Sequence, residues 1–152
     1  MKALLRAVQD IALLVARLVG GLVLVAHGWH RWQVSGIDSQ LAVVQEAGLP
    51  VGIGIVVTTI AFELIGGVLL AFGLGTRLVG LGMLAMNAVI VFAVKWDGGL
   101  RLTEGGYEYN AVLAALGLLL LAFGSGRLGL DHLFVRPTDD GSDLIDDGSS
   151  PT

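Results

Sequence analysis

Between Val51 and Phe72 the chain runs for 22 residues with a single charged side chain, Glu63. A stretch of that length suits a membrane-crossing helix, which needs about 20 mainly apolar residues. Three further apolar stretches accompany it: roughly Ile11 to Ala26, continuing into His27-Gly28-Trp29; Leu78 to Val94; and Tyr109 to Phe123. Each of these reaches spanning length only with its flanking aromatic residues and glycines. The short connection Gly73-Leu74-Gly75-Thr76-Arg77 makes the second and third segments an antiparallel hairpin. All four are apolar nearly all round, whereas a soluble bundle would carry amphipathic stripes. The expected fold class is therefore all-α, an integral membrane up-down bundle of four transmembrane helices within residues 1–136.

Lipid as the surrounding solvent also accounts for the composition. Hydrophobic residues make up 55% of the chain and charged residues 14%, against about 45–50% and about 25% in soluble domains. So few polar residues cannot cover a soluble surface, which excludes an ordinary cytosolic enzyme. The absence of cysteine removes structural disulfides, thiolate nucleophiles, iron–sulfur ligation and cysteine zinc sites. The net charge of −4 is unevenly placed: Asp139, Asp140, Asp143, Asp146 and Asp147 lie in the last sixteen residues, with no Lys or Arg among them. Residues 137–152 read as a disordered acidic tail. The nearly neutral body fits neither a nucleic-acid reader nor a polybasic membrane-surface protein.

Lys2 and Arg6 before an apolar run resemble the start of a signal peptide. Arg17 interrupts that run, however, and Leu24-Val25-Ala26 is a poor cleavage site, so a retained first helix is expected. With four spans, Lys2, Arg6, Arg77, Arg127 and Arg136 share one side, against Arg31, Lys95 and Arg101 on the other. The excess places both termini in the cytoplasm and the protein in the cell membrane. Trp29, Trp32, Trp96, Tyr107 and Tyr109 then gather at the outer face. Such residues form interfacial belts, yet their concentration at one face makes it the better place to seek a site. In the first outer loop, Asp38-Ser39 followed by Leu41, Val44 and Ala47 has the spacing of a short amphipathic helix near residues 39–47. Plain loop packing over the bundle is an equal alternative.

Two ionisable residues interrupt the apolar segments, Arg17 in the first and Glu63 in the second. Such residues are costly in lipid, by roughly 2.5–3.5 kcal/mol on insertion scales, and face a partner inside the bundle. Arg17 shares a helical stripe with Gly20, Leu24, Gly28 and Arg31; Glu63 shares one with Thr59, Gly66, Gly67 and Leu70. The small residues allow close approach, so an Arg17–Glu63 pair or water-bridged network is expected. It would either fix helix register or form the polar floor of a cavity able to hold a quinone head group. Asn87 and Glu108, with Glu104, Tyr107 and Asn110 nearby, could extend this intramembrane network. His27, Trp29, Trp96 and Tyr107 are the candidate ligand-binding residues above it. His27 and His30 lack a histidine on a facing segment, so neither a haem nor a metal site is expected. No nucleotide-binding motif is present.

The motifs, in order, are Arg17-Leu18-Val19-Gly20, Ala26-His27-Gly28-Trp29-His30-Arg31, Gly48-Leu49-Pro50, Glu63-Leu64-Ile65-Gly66-Gly67, Gly73-Leu74-Gly75-Thr76-Arg77, Glu108, and Gly124-Ser125-Gly126-Arg127-Leu128-Gly129-Leu130-Asp131. With this order and spacing, residues 7–133 resemble the DoxX family of small four-helix bacterial membrane proteins. The resemblance implies an up-down bundle linked to membrane redox chemistry, as in small subunits of quinol oxidases, thiosulfate:quinone oxidoreductases and oxidative-stress complexes. Many members carry a histidine near the end of the third span, where this chain reads Val94-Lys95-Trp96.

Three functional readings follow. The first is an accessory, not independently catalytic, subunit of a quinone-linked membrane redox assembly. It would have no intrinsic cofactor, and quinone would be its ligand. The second is a structural or interaction protein whose charged pair only holds the bundle together. The third is a small-solute or lipid carrier, which would need to form a homo-oligomer because four helices enclose little volume.

Overall fold

The computed structural model describes residues 2–49 and 52–131; the acidic segment 137–152 and His132 lie outside them. The described residues are all-helical, without strands. Helix α1 spans Lys2–Ser35, α3 spans Ile53–Phe72 and α4 spans Thr76–Val94; all three are long and apolar enough to cross a membrane. Between α1 and α3 lies a short helix, α2, at Ile37–Glu46. The last helix, α5 at Glu108–Phe123, has 16 residues. At 1.5 Å per residue it is about 24 Å long, shorter than a full apolar crossing. The sequence led us to expect α1 to finish near Trp29. It continues to Ser35, with its last stretch, His30–Ser35, wound as a wider π-helix.

The helices associate as two close pairs. In α1 and α3, a Cβ added to Gly67 would stand 2.7 Å from the Gly21 carbonyl oxygen; in α4 and α5, one added to Gly117 would stand 2.7 Å from that of Gly80. Backbone therefore meets backbone at both crossings. This is how helices gain packing in lipid, where burying apolar side chains offers little advantage over solvating them. The pairs are joined by Leu24, Leu70, Val79, Met83, Leu113 and Leu120. The ring of Phe62 also packs on Gly82.

The distribution of polarity is reversed relative to a soluble bundle. Leu22 is 70% exposed and Leu78 is 75% exposed, whereas Arg17, Glu63, Asn87 and Asn110 are buried. Apolar side chains are presented outward from every long helix, an arrangement that water would penalise and lipid does not. The molecule is a membrane protein.

The α3–α4 connection closes as a helix-ending turn. Leu74 N–H donates to the Leu69 carbonyl at 2.8 Å and Gly73 N–H to that of Leu70 at 3.0 Å, with Gly73 at φ 70° as such a cap requires. The next helix is capped from a distance, because Asp131 accepts from Gly75 N–H at 2.6 Å and Thr76 N–H at 3.0 Å. Burial pushes the Asp131 carboxyl up, but the Thr76 and Gly75 N–H bonds outweigh it and hold the group below its ordinary value of 3.8. Its folded pKa is depressed, so its stabilisation is complete at neutral pH and is lost as pH falls below that value. Asp131→Asn should therefore lower stability by about 1 kcal/mol at pH 7. In denaturant titrations the difference from the parent should shrink under strong acid.

Candidate functional site

At the end of the bundle where α1 and α4 finish and α3 and α5 begin, a groove of about 550 Å³ opens between the helices. Its walls come from α3 (Ile55, Val56, Ile60) and α4 (Met86, Val89, Ile90), and Val43 and Val44 of α2 lie across it. The rim carries polar groups: His27, His30 and Arg31 from α1, Gln40 from α2, Thr59 from α3 and Lys95 after α4. The size and the apolar walls with few polar groups are those of small-molecule sites. The exposure of Ile55 and Val89 leaves the groove open towards the surrounding lipid.

Each spanning helix departs from α-geometry beside the groove. The wider turns are His30–Ser35, Phe62–Gly66 and Ile90–Val94. An extra residue per turn re-aims the side chains that follow, and such turns concentrate at functional sites. Here they bring Arg31 and Glu63 together: Arg31 Nε lies 3.3 Å from Glu63 Oε2. A second guanidinium nitrogen, Nη1, donates to Gln40 Oε1 at 3.3 Å, so one side chain links the buried acid to α2.

Behind this pair lies a small cavity of about 10 Å³ lined by His27, Arg31, Glu63, Asn87, Tyr109 and Asn110, near the lower limit for one water molecule. Asn110 Nδ2 donates to Asn87 Oδ1 at 2.9 Å, and Asn87 Nδ2 to the Met83 carbonyl at 2.9 Å. His27 stacks on Tyr109 with ring centroids 5.1 Å apart. The Tyr109 hydroxyl, Asn110 Oδ1 and Glu63 Oε2 are buried without hydrogen bonds among the described residues. Hydrogen-bonding capacity is therefore concentrated directly behind the groove.

The expected Arg17–Glu63 pair does not form. Glu63 lies beside Gly28, whereas the Arg17 guanidinium abuts Gly73 and Gly129 at the opposite end of α3. Ten residues of helix separate Glu63 from Gly73, about 15 Å. Arg17 is fully buried and its three nitrogens have no hydrogen-bond partner among the described residues. Its place is beneath the α3–α4 turn, away from the groove. Glu108 also stands outside the network: it is exposed and accepts weakly from Leu102 N–H at 3.3 Å.

Of the four candidate ligand-binding residues, His27 lines the groove and the others do not. Trp96 stacks between Phe92 and Tyr107, at 5.3 and 5.7 Å. Trp29 meets Trp32 edge-on at 5.9 Å. These rings form an exposed aromatic collar, the interfacial role such residues usually have. Arg31 and Tyr109 are the residues that sequence reasoning undervalued. Arg31 stood on the correct stripe, but the continuation of α1 that brings it level with Glu63 was not anticipated.

The model of the family described as DoxX matches residues 12–96, which contain the groove walls, Arg31, Glu63 and Asn87. The chain belongs to the DoxX family. This DoxX chain is also 30% identical over 135 residues to "Putative oxidoreductase CatD" of Bacillus subtilis (strain 168), covering 88% of this chain and 94% of that protein. It is 33% identical over 78 residues to an uncharacterised protein of Haemophilus influenzae, covering 50% of this chain and 52% of the other. No solved structure matches it. The family match and the three long apolar helices agree on a membrane protein.

Proposed function

We propose that this DoxX chain is a small subunit of a quinone-linked redox or oxidative-stress complex in the cell membrane, and that its groove holds the quinone. In this reading α5 completes a four-span bundle, with both termini cytoplasmic and the groove facing the outer leaflet. The supporting observation is the apolar groove ending at the Arg31–Glu63 pair. Its walls suit a lipid-soluble ring and chain, and its rim offers N–H donors from Arg31 and His27 to ring carbonyl oxygens.

A bound quinone would supply the electron-accepting chemistry; the protein's residues bind and orient. Glu63 is a positioning residue: its carboxylate fixes the Arg31 guanidinium at the mouth of the groove. Electrons would come from a partner subunit. The relative named "Putative oxidoreductase CatD", aligned along nearly its whole length, favours this reading over a purely structural one.

Extraction of the native protein in mild detergent should yield quinone in the accompanying lipid extract. Glu63→Gln should retain the folded bundle and weaken binding of decylubiquinone about tenfold, the loss of one charge-assisted contact. Unchanged affinity in a folded variant would contradict the reading. Loss of the fold itself would favour the alternative in which the charged residues only hold the helices together.

A further inference from the structure

The charges around the groove are one-sided. Its lining includes His27, His30, Arg31 and Lys95 and no carboxylate. The acids at the same end, Asp38, Glu46, Asp97, Glu104 and Glu108, are exposed and outside the lining. Glu63 lies behind the wall and is already engaged by Arg31. Lys95 has no carboxylate within ion-pair distance among the described residues.

An apolar trough ending in uncompensated positive charge matches one class of ligand. We propose that the groove is a binding site for a single-chain amphiphile whose head carries a negatively charged oxygen, with Lys95 recognising that charge. The chain lies along Ile55, Val56 and Val89, and the head reaches the rim at Lys95. The volume of about 550 Å³ falls in the range of sites for one drug-sized molecule and does not enclose a two-chain phospholipid. Removal from water strengthens the attraction, because a charge at the edge of a low-dielectric trough is less screened than one on an open surface. The inference rests on the preceding proposal only in treating the groove as a ligand site; it adds the charge of the head.

Tryptophan fluorescence reads this directly, because Trp96 adjoins Lys95 in the chain and Trp29 and Trp32 lie at the same end of the bundle. The full chain is placed in phosphatidylcholine nanodiscs at pH 8 and titrated with 9,10-dibromostearate or its methyl ester. The ionised acid should half-quench at a concentration about tenfold below that of the ester, and Lys95→Gln should bring the two within about twofold. Equal quenching by acid and ester in the parent chain would overturn the proposal. So would a preference for the acid that survives Lys95→Gln. Abolition of the acid's quenching by phosphatidylglycerol nanodiscs would assign the site to membrane phospholipid and overturn the single-chain reading.

Decylubiquinone, titrated in parallel, separates the two proposals. Preference for the acid without quinone binding supports the anionic site and removes the quinone function. Quinone binding without preference for the acid does the reverse.

Discussion

Gly117→Val should prevent the α4–α5 pair from closing, lowering stability by about 3 kcal/mol or more, beyond the usual range for overpacking. A Cβ at this position would stand 2.7 Å from the Gly80 carbonyl oxygen and 2.7 Å from Leu84 N. Both obstacles are backbone, so no rotamer change makes room and the helices must separate along the seam. Separation would also pull apart Asn110 and Asn87, whose bond crosses between the same helices. Gly54→Ala is the matched control, because a Cβ there meets nothing within 4 Å. Alanine in that helix should leave the bundle intact and add up to about 1 kcal/mol through helix propensity. Reversible unfolding in mixed detergent micelles measures both. Equal tolerance of the two substitutions would show that the seam does not set the helix spacing.

The second large effect concerns the charged pair. Arg31→Gln removes the charge facing Glu63 and leaves the buried carboxylate uncompensated, a change that costs about 3–5 kcal/mol in other proteins. It also releases Gln40 of α2, since Arg31 holds both. The double variant Arg31→Gln with Glu63→Gln should recover much of that loss, because a neutral amide carries no uncompensated charge. In a double-mutant cycle the coupling should exceed about 1 kcal/mol. Additive losses would mean that the 3.3 Å contact contributes nothing to the fold.

Burial and helical face were readable in the sequence; height along the helix was not. Arg17 and Glu63 interrupt apolar runs, and both are buried, as the cost of a charge in lipid demands. Periodicity assigns each to a stripe but leaves the axial register of two antiparallel helices open. That register depends on where α1 ends, and the π-wound continuation from His30 to Ser35 carries no sequence signal as plain as a glycine or proline stop. With α1 ending near Trp29, Arg17 and Glu63 fall at similar depths. With α1 extending to Ser35, Arg31 comes level with Glu63, and Arg17 drops to the α3–α4 turn.

The aromatic residues illustrate a related limit. Trp29, Trp96, Tyr107 and His27 lie at one end of the bundle. Which of them faces a cavity depends on how the two helix pairs, each closed on a glycine seam, meet with the Phe62 ring packed on Gly82 between them, which no single segment encodes. Asn87 and Asn110 needed only the α4–α5 pairing to meet, because each sits at the same distance from its seam glycine, seven residues from Gly80 and from Gly117.

Whether the groove beside Arg31 holds a quinone can be read from photolabelling. The protein in native-like nanodiscs is irradiated with an azido-quinone and the adducts are mapped by peptide mass spectrometry. Adducts are expected on groove residues such as Thr59, Met86 and Val89, suppressed by excess decylubiquinone and reduced in Glu63→Gln. Adducts spread over lipid-facing positions such as Leu22, Leu78 and Phe123, and indifferent to competitor, would contradict quinone binding there.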